Sequence, residues 1–266
     1  MRYFGRVAFN GFNYVGWQSQ PNGKTVQEQI EGGLSILLRS NVKIVGCGRT
    51  DAGVHASRYY FHFDSDEIEN SHLFLRSING ILAEDISFLE LLPVSAESHA
   101  RYDAELRTYR YYLSGKSDPF RTESLFHYKL LFKTELKKVR ETAECIASFD
   151  EFFPFTKTNT QTSHYLCRVE SVKWIELSEN YWVFEISANR FLRGMVRLIV
   201  GSCLQVGTGK LDLSDIEYAC QHQKRLAHAW SVPGHGLYLT DIRYPYIKSV
   251  EDSYFFEPFG PLTGHI

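Results

Sequence analysis

The hydrophobic and polar positions of this chain change period several times along the first hundred residues, and each change marks an element. Residues 2–9 carry an apolar and aromatic run that predicts a strand. From Thr25 onward Val26, Ile30, Leu34 and Leu37 recur at helical spacing, and Thr25 with Glu28 makes a capping box, so the pattern predicts a helix over 25–39. Further runs predict strands at 42–47, 59–63 and 86–92 and a second helix at 71–81. The order is β-α-β-β-α-β. The second half repeats it, with strands at 106–113, 167–177, 182–187 and 236–243, helices at 134–147 and 191–206, and an extra helix at 214–221. No residue-level repeat joins the halves, yet the element order is that of two ferredoxin-like split βαβ units. The expected fold class is therefore α+β, with domains at 1–100 and 101–266.

Composition narrows the picture. The chain has 266 residues, 44% of them hydrophobic and 15% aromatic, enough to fill real cores. Its first residues, Met1 to Arg6, are too polar for a secretory signal, and the apolar run around 195–206 is interrupted by Arg197 and too short to span a bilayer. No membrane partner is expected. Five cysteines, at 47, 145, 167, 203 and 220, are an odd number without a Cys-x-x-Cys pair, which suggests neither a disulfide framework nor a zinc site. Reduced thiols fit a cytoplasmic location. A net charge of −2 does not mark a polyanion binder, so a nucleic-acid surface requires clustered basic residues.

One such cluster is visible. On the helix predicted at 191–206, Arg197 and the preceding Arg190 and Arg193 sit at i, i+3 and i+7, within roughly 60° of one another at helical periodicity. The acidic run at 64–69 reads as solvated surface, and the polar run at 156–163 reads as a loop.

The candidate chemistry centres on Gly48-Arg49-Thr50-Asp51-Ala52-Gly53-Val54-His55, which places one carboxylate between an arginine and a histidine in a loop flanked by glycines. By composition alone it is also an ordinary turn, with Gly two residues after Asp. Asp51 and His55, four apart, suit a metal pair only on a helix, which Gly53 disfavours, and no further ligand cluster is visible. The stretch Gly207-Thr208-Gly209-Lys210 lacks the earlier glycine and the following Ser or Thr of a phosphate-binding loop. Tyr109 lies in an alternating strand, where an aromatic commonly packs. A non-catalytic RNA-binding protein built on paired ferredoxin-like units is the remaining alternative to an enzyme.

The octet resembles the signature of the TruA family of tRNA pseudouridine synthases. Other blocks of that family follow in order: Phe9-Asn10-Gly11-Phe12-Asn13-Tyr14-Val15-Gly16-Trp17-Gln18, Thr25-Val26-Gln27-Glu28, His99-Ala100-Arg101, Arg107-Thr108-Tyr109-Arg110-Tyr111, Ala188 to Arg197, and Gly236-Leu237-Tyr238-Leu239. The resemblance implies two antiparallel sheets side by side around a central cleft. It also implies isomerisation of uridine to pseudouridine at positions 38, 39 and 40 of the tRNA anticodon stem-loop, with no cofactor or metal, by a homodimer. In that reading Asp51 is the catalytic aspartate, Arg197 the arginine that pairs with it, and Tyr109 the tyrosine that stacks on the target uracil. Leu237 supplies an apolar wall, Arg49 contacts phosphate or fills the gap left by the flipped nucleotide, and Arg190, Arg193 and His55 bind substrate. Two departures stand out: Asn10 where the family has Asp, and Arg58-Tyr59 where Gly-Gln is more typical.

Overall fold

The computed structural model describes residues 1–158 and 162–247. Residues 159–161 of the polar run and the aromatic tail Tyr254-Phe255-Phe256 lie outside the described residues. The described chain forms two compact units, one of residues 1–105 with 238–247 and the other of 106–237. Both mix strands and helices, and the described residues hold five α-helices.

In the first unit the elements are β1 (Arg2–Phe9), α1 (Val26–Leu38), β2 (Val45–Gly46), β3 (His55–Asp64), α2 (Ser71–Ile81) and β4 (Ile86–Val94). β1 is central, antiparallel to β3 on one side and to β4 on the other. The short β2 runs antiparallel to β3 at Val45↔His62 and Gly46↔Phe61. The chain's last strand, Leu237–Arg243, groups with this unit from Tyr238 on. There Tyr238 and Leu239 pair in parallel with His55 and Ala56.

The start of α1 follows its capping box: Thr25 Oγ1 accepts the Glu28 N–H at 3.4 Å, and Val26, Ile30 and Leu34 are fully buried. α2 begins in the same way, at Asn70, whose side chain accepts from Leu73 N–H at 2.9 Å. Only two residues of the strand predicted at 42–47 join the ladder. Val42 and Ile44 are buried, but their N–H groups bond Ser35 Oγ at 3.0 Å and Glu31 Oε1 at 3.2 Å. Side chains of α1 thus take the backbone bonds that a strand partner would otherwise supply.

β3 is longer than the predicted 59–63 because its first residues, His55, Ala56 and Ser57, are buried without being strongly apolar. Both faces of β3 are covered. Phe61 meets Phe88 edge-on at 5.5 Å, and Phe88 meets Phe74 of α2 at 5.9 Å. From the opposite face, Tyr60 packs against Tyr244 at 5.4 Å. Double coverage explains the near-continuous aromatic run Tyr59-Tyr60-Phe61-His62-Phe63, where a half-exposed strand would alternate.

The second unit contains β5 (Leu106–Ser114), β6 (Phe126–His127), α3 (Leu136–Ala147), β7 (Val169–Ser178), β8 (Tyr181–Ala188), α4 (Met195–Gly207) and α5 (Leu213–Gln221), and the final strand is then β9 (Leu237–Arg243). β8 lies between β5 and β7 and is antiparallel to both, while β6 runs parallel to the end of β5. α3 packs on β7 and on α4, and α4 is buried over most of its length. The five cysteines are free, and burial pushes the Cys203 and Cys220 thiols up to about 12, which keeps them protonated near neutral pH. No helix among the described residues is long and apolar enough to cross a membrane.

His62 gives the first unit a pH dependence. It is buried, its Nδ1 accepts the Ala100 N–H at 3.1 Å, and burial, with the Arg2 charge adding to it, lowers its pKa to about 4. The folded value lies below the unfolded one, so as pH falls the unfolded chain takes up this proton first. Stability is full above about pH 6.5 and declines toward pH 4, by a loss of order 2 kcal/mol. In urea titrations the wild-type midpoint should therefore fall more steeply from pH 6.5 to 4.5 than that of His62→Gln. Parallel curves would remove this imidazole as the cause.

Candidate active site

Asp51 sits in the loop between β2 and β3, half-buried, just before the turn at Ala52-Gly53 that starts β3. What fixes this loop is a second loop, residues 10–17, laid against it. Trp17 N–H donates to Thr50 O at 3.4 Å, Gly53 N–H to Tyr14 O at 3.1 Å, and within the turn Val54 N–H donates to Asp51 O at 3.2 Å. The two main chains approach so closely that side chains are excluded. A Cβ on Gly11 would lie 1.9 Å from Val54 O, and one on Gly16, whose φ is +113°, would lie 2.4 Å from Thr50 O.

Around this backbone lock is an aromatic shell. Trp17 stacks on Tyr59 with ring centroids 3.8 Å apart, and Phe9 packs on both. The Tyr59 hydroxyl donates to Gly48 O, three residues before Asp51, and the Tyr14 hydroxyl donates to Asp85. Burial, and then that bond, push the Tyr14 phenol well above its usual value. The two departures from the family pattern find local partners here. Asn10 Oδ1 accepts the Phe12 N–H at 3.0 Å, and Arg58 pairs with Asp241 on β9 at 2.7 Å.

Of the two glycines expected to shape the octet, only Gly53 is in the left-handed region, at φ +74°. Gly48 has open space where a Cβ would stand. Arg49 is exposed. His55, expected against substrate, is buried inside the first unit: its Nδ1 accepts the Gly11 N–H at 3.0 Å and its ring stacks on Tyr238 at 4.5 Å. It ties the two loops to β9.

In the second unit, Tyr109 lies on β5 opposite Ile186 of β8, half-buried, with the Phe191 ring against it edge-on at 5.1 Å. The helical stripe read from Arg190, Arg193 and Arg197 is corrected by the structure. α4 begins only at Met195, because Gly194 adopts a left-handed φ of +73° and Lys157 N–H bonds Arg193 O at 3.0 Å. Arg190 and Arg193 therefore precede the helix. Arg190 reaches His164 Nε2 at 2.9 Å, and Arg193 is exposed.

Arg197, in the first turn of α4, is held by the segment before β9. Its Nε donates to Val232 O at 2.7 Å, and Val232 N–H returns a bond to Arg197 O at 3.3 Å. The buried Tyr111 hydroxyl donates to the next carbonyl, Pro233 O, at 2.9 Å. Burial raises the Tyr111 phenol well above its ordinary value and lowers the His235 imidazole, and the Arg197 charge acts on both. Leu237 is buried at the end of the same segment. Sequence reasoning did not single out Val232 and Tyr111, nor the buttressing role of the 10–17 loop. The signal for the latter was the pair of glycines at 11 and 16 beside Trp17.

Fold and loop define an α+β protein that fixes one carboxylate by main-chain contacts, without a metal-holding group of His, Cys, Asp and Glu among the described residues. Comparison with known proteins gives this class a family. A family model described as tRNA pseudouridine synthase matches residues 150–245. Proteins named tRNA pseudouridine synthase A from Azobacteroides pseudotrichonymphae and Parabacteroides distasonis are each 42% identical to the chain, over 92% of it and over 97% and 96% of their own lengths. One of the same name from Exiguobacterium is 32% identical over 90% of this chain and 96% of that protein. The chain belongs to the tRNA pseudouridine synthase A family.

The glycine geometry predicts a contrast between neighbouring positions. Gly16→Ala forces a Cβ against Thr50 O at a positive φ and should lower unfolding free energy by about 1–3 kcal/mol. Gly48→Ala meets nothing and should stay within about 0.5 kcal/mol of wild type. Chemical denaturation of both variants checks this, and equal losses would contradict the assigned lock.

Proposed function

We propose that this chain isomerises uridine to pseudouridine in tRNA, at positions 38, 39 and 40 of the anticodon stem-loop, without cofactor or metal. The observation that carries the reading is Asp51 itself, a carboxylate on a main-chain-locked loop in a chain 42% identical over 92% of its length to proteins named tRNA pseudouridine synthase A. Those names denote an enzyme, which disfavours a purely RNA-binding role.

In this reading both units are ferredoxin-like. The order β4-β1-β3-β2 in the first supports that assignment, as does the central, doubly antiparallel β8 in the second. The first unit carries the Asp51 loop and the second carries Tyr109 and Arg197. The stem-loop enters a cleft between their sheets, and the protein acts in the cytoplasm as a homodimer.

The reaction needs no net redox change. The N1–C1′ bond breaks, the uracil turns, C5 bonds to C1′, and the proton leaving C5 is balanced by one gained at N1. A carboxylate serves as nucleophile at the ring or at C1′, or as base on the sugar. Arg197 orients Asp51 through its planar fork and steadies it as RNA phosphates approach. Tyr109 stacks on the everted base, and Leu237 packs from another side. Flipping the nucleotide costs a few kcal/mol, and one aromatic stack returns about 1–3 kcal/mol. Backbone contacts from Arg49, Arg190 and Arg193 supply the remainder.

Asp51→Asn should cut turnover by at least about 10³-fold while tRNA affinity, read by filter binding, changes little. Lost binding with retained turnover would reject the assignment. Tyr109→Phe should keep its stack and its affinity but react more slowly. An unchanged single-turnover rate would exclude the hydroxyl from the chemistry.

A further inference from the structure

The second unit carries a cavity of about 250 Å³ that the reaction itself does not require. It is built where the chain doubles back between β5 and β6. The buried Ser114 hydroxyl accepts the Lys116 N–H at 3.0 Å and donates to Lys116 O at 2.8 Å, turning the chain sharply after β5. Asp118 Oδ1 accepts the Phe120 N–H at 3.0 Å, which shapes the far turn, and Tyr128 N–H bonds Ser114 O at 2.8 Å on the return. The turn positions are thus set by local hydrogen bonds.

The groups facing the cavity include Lys116, Arg121, His127 and His235, with Asp118 the single acid, 3.5 Å from Arg121 Nε. Two permanent positive charges meet one negative charge, and both imidazoles add N–H donors. The wall is Phe126, held by Tyr111, Trp230 and His235, each with its ring 6.2 Å away. This set of cations and N–H donors beside a fixed aromatic wall suits a phosphate ester. The volume falls below the roughly 300–1,000 Å³ of small-molecule sites, which fits a phosphate with part of its sugar better than a whole cofactor.

His235 links this cavity to the candidate active site. The Arg197 charge acts on its imidazole, and it lies two residues before Leu237. We propose that the cavity between Lys116 and His235 holds a phosphodiester of the bound RNA strand, outside the nucleotide that reacts. This inference rests on the tRNA reading above. The subsite contributes affinity and register, and no bond is made or broken in it.

The same chemistry would receive free phosphate, so the test separates the two sources. Lys116 is exposed, and its replacement leaves the core alone. For the full chain, Lys116→Glu should weaken tRNA binding at least about 10-fold and make the slope of log K against log salt shallower by about one. Lys116→Arg should keep both, and kcat at saturating tRNA should stay within about twofold in each variant. Unchanged affinity and slope in Lys116→Glu would overturn the proposal. It would also be overturned if calorimetry with inorganic phosphate showed binding that Lys116→Glu abolishes while tRNA affinity held. If wild type binds tRNA but forms no pseudouridine, the functional reading fails, and the salt slope still decides the cavity.

Discussion

Main-chain contact between two loops is the constraint on which the rest of the candidate site depends. Residues 10–17 and 48–54 touch through carbonyl oxygens and N–H groups at positions where a Cβ does not fit. Each such hydrogen bond contributes only about 1 kcal/mol net. Their greater effect is geometric. With the backbone on both sides of Asp51 fixed, only the torsions of a short side chain remain free, and the carboxylate occupies a small volume. Neutral backbone bonds are also insensitive to salt, which matters beside a polyanion whose counterions are rearranged on binding.

The arginine end follows a different logic. Arg197 is located by a carbonyl, and the segment that supplies it, Val232 to His235, is itself fastened by the buried Tyr111 hydroxyl. Burial disfavours the charged forms of Tyr111 and His235, so both neighbours of the guanidinium lean toward neutrality. Main-chain contacts thus position Asp51 within the first unit and Arg197 within the second. Both are set before any ligand arrives, a form of preorganisation.

How much of this was legible depends on whether the determining contact is local. β1 at 2–9 and α2 at 71–81 have the predicted bounds, since aromatic runs and helical spacing act within one segment. Asp51 and its turn were readable because Asp and Gly shape their own backbone. The start of α4 was not, because the helix is stopped by the left-handed Gly194 and by a bond from distant Lys157. His55 reads on paper as a polar residue beside an acid, and only tertiary structure reveals Gly11 and Tyr238 around it. The placement of β9 beside β3, nearly two hundred residues earlier in the chain, leaves no local trace at all.

Net charge is the least informative number in the sequence, and the ion pairs explain why. Arg6 with Glu90, Arg110 with Glu185, and Arg58 with Asp241 neutralise one another on the sheets, at 2.9, 2.7 and 2.7 Å. Such pairs take charges of both signs out of the field a ligand experiences. Arg49, Lys116 and Arg193, by contrast, stand exposed on loops. A total of −2 therefore coexists with local positive surface, because counterion release depends on which cations meet phosphate, not on their sum. For a chain of this composition, the placement of cations on loops near Asp51, Arg197 and the β5–β6 turn carries the electrostatic argument for an RNA ligand.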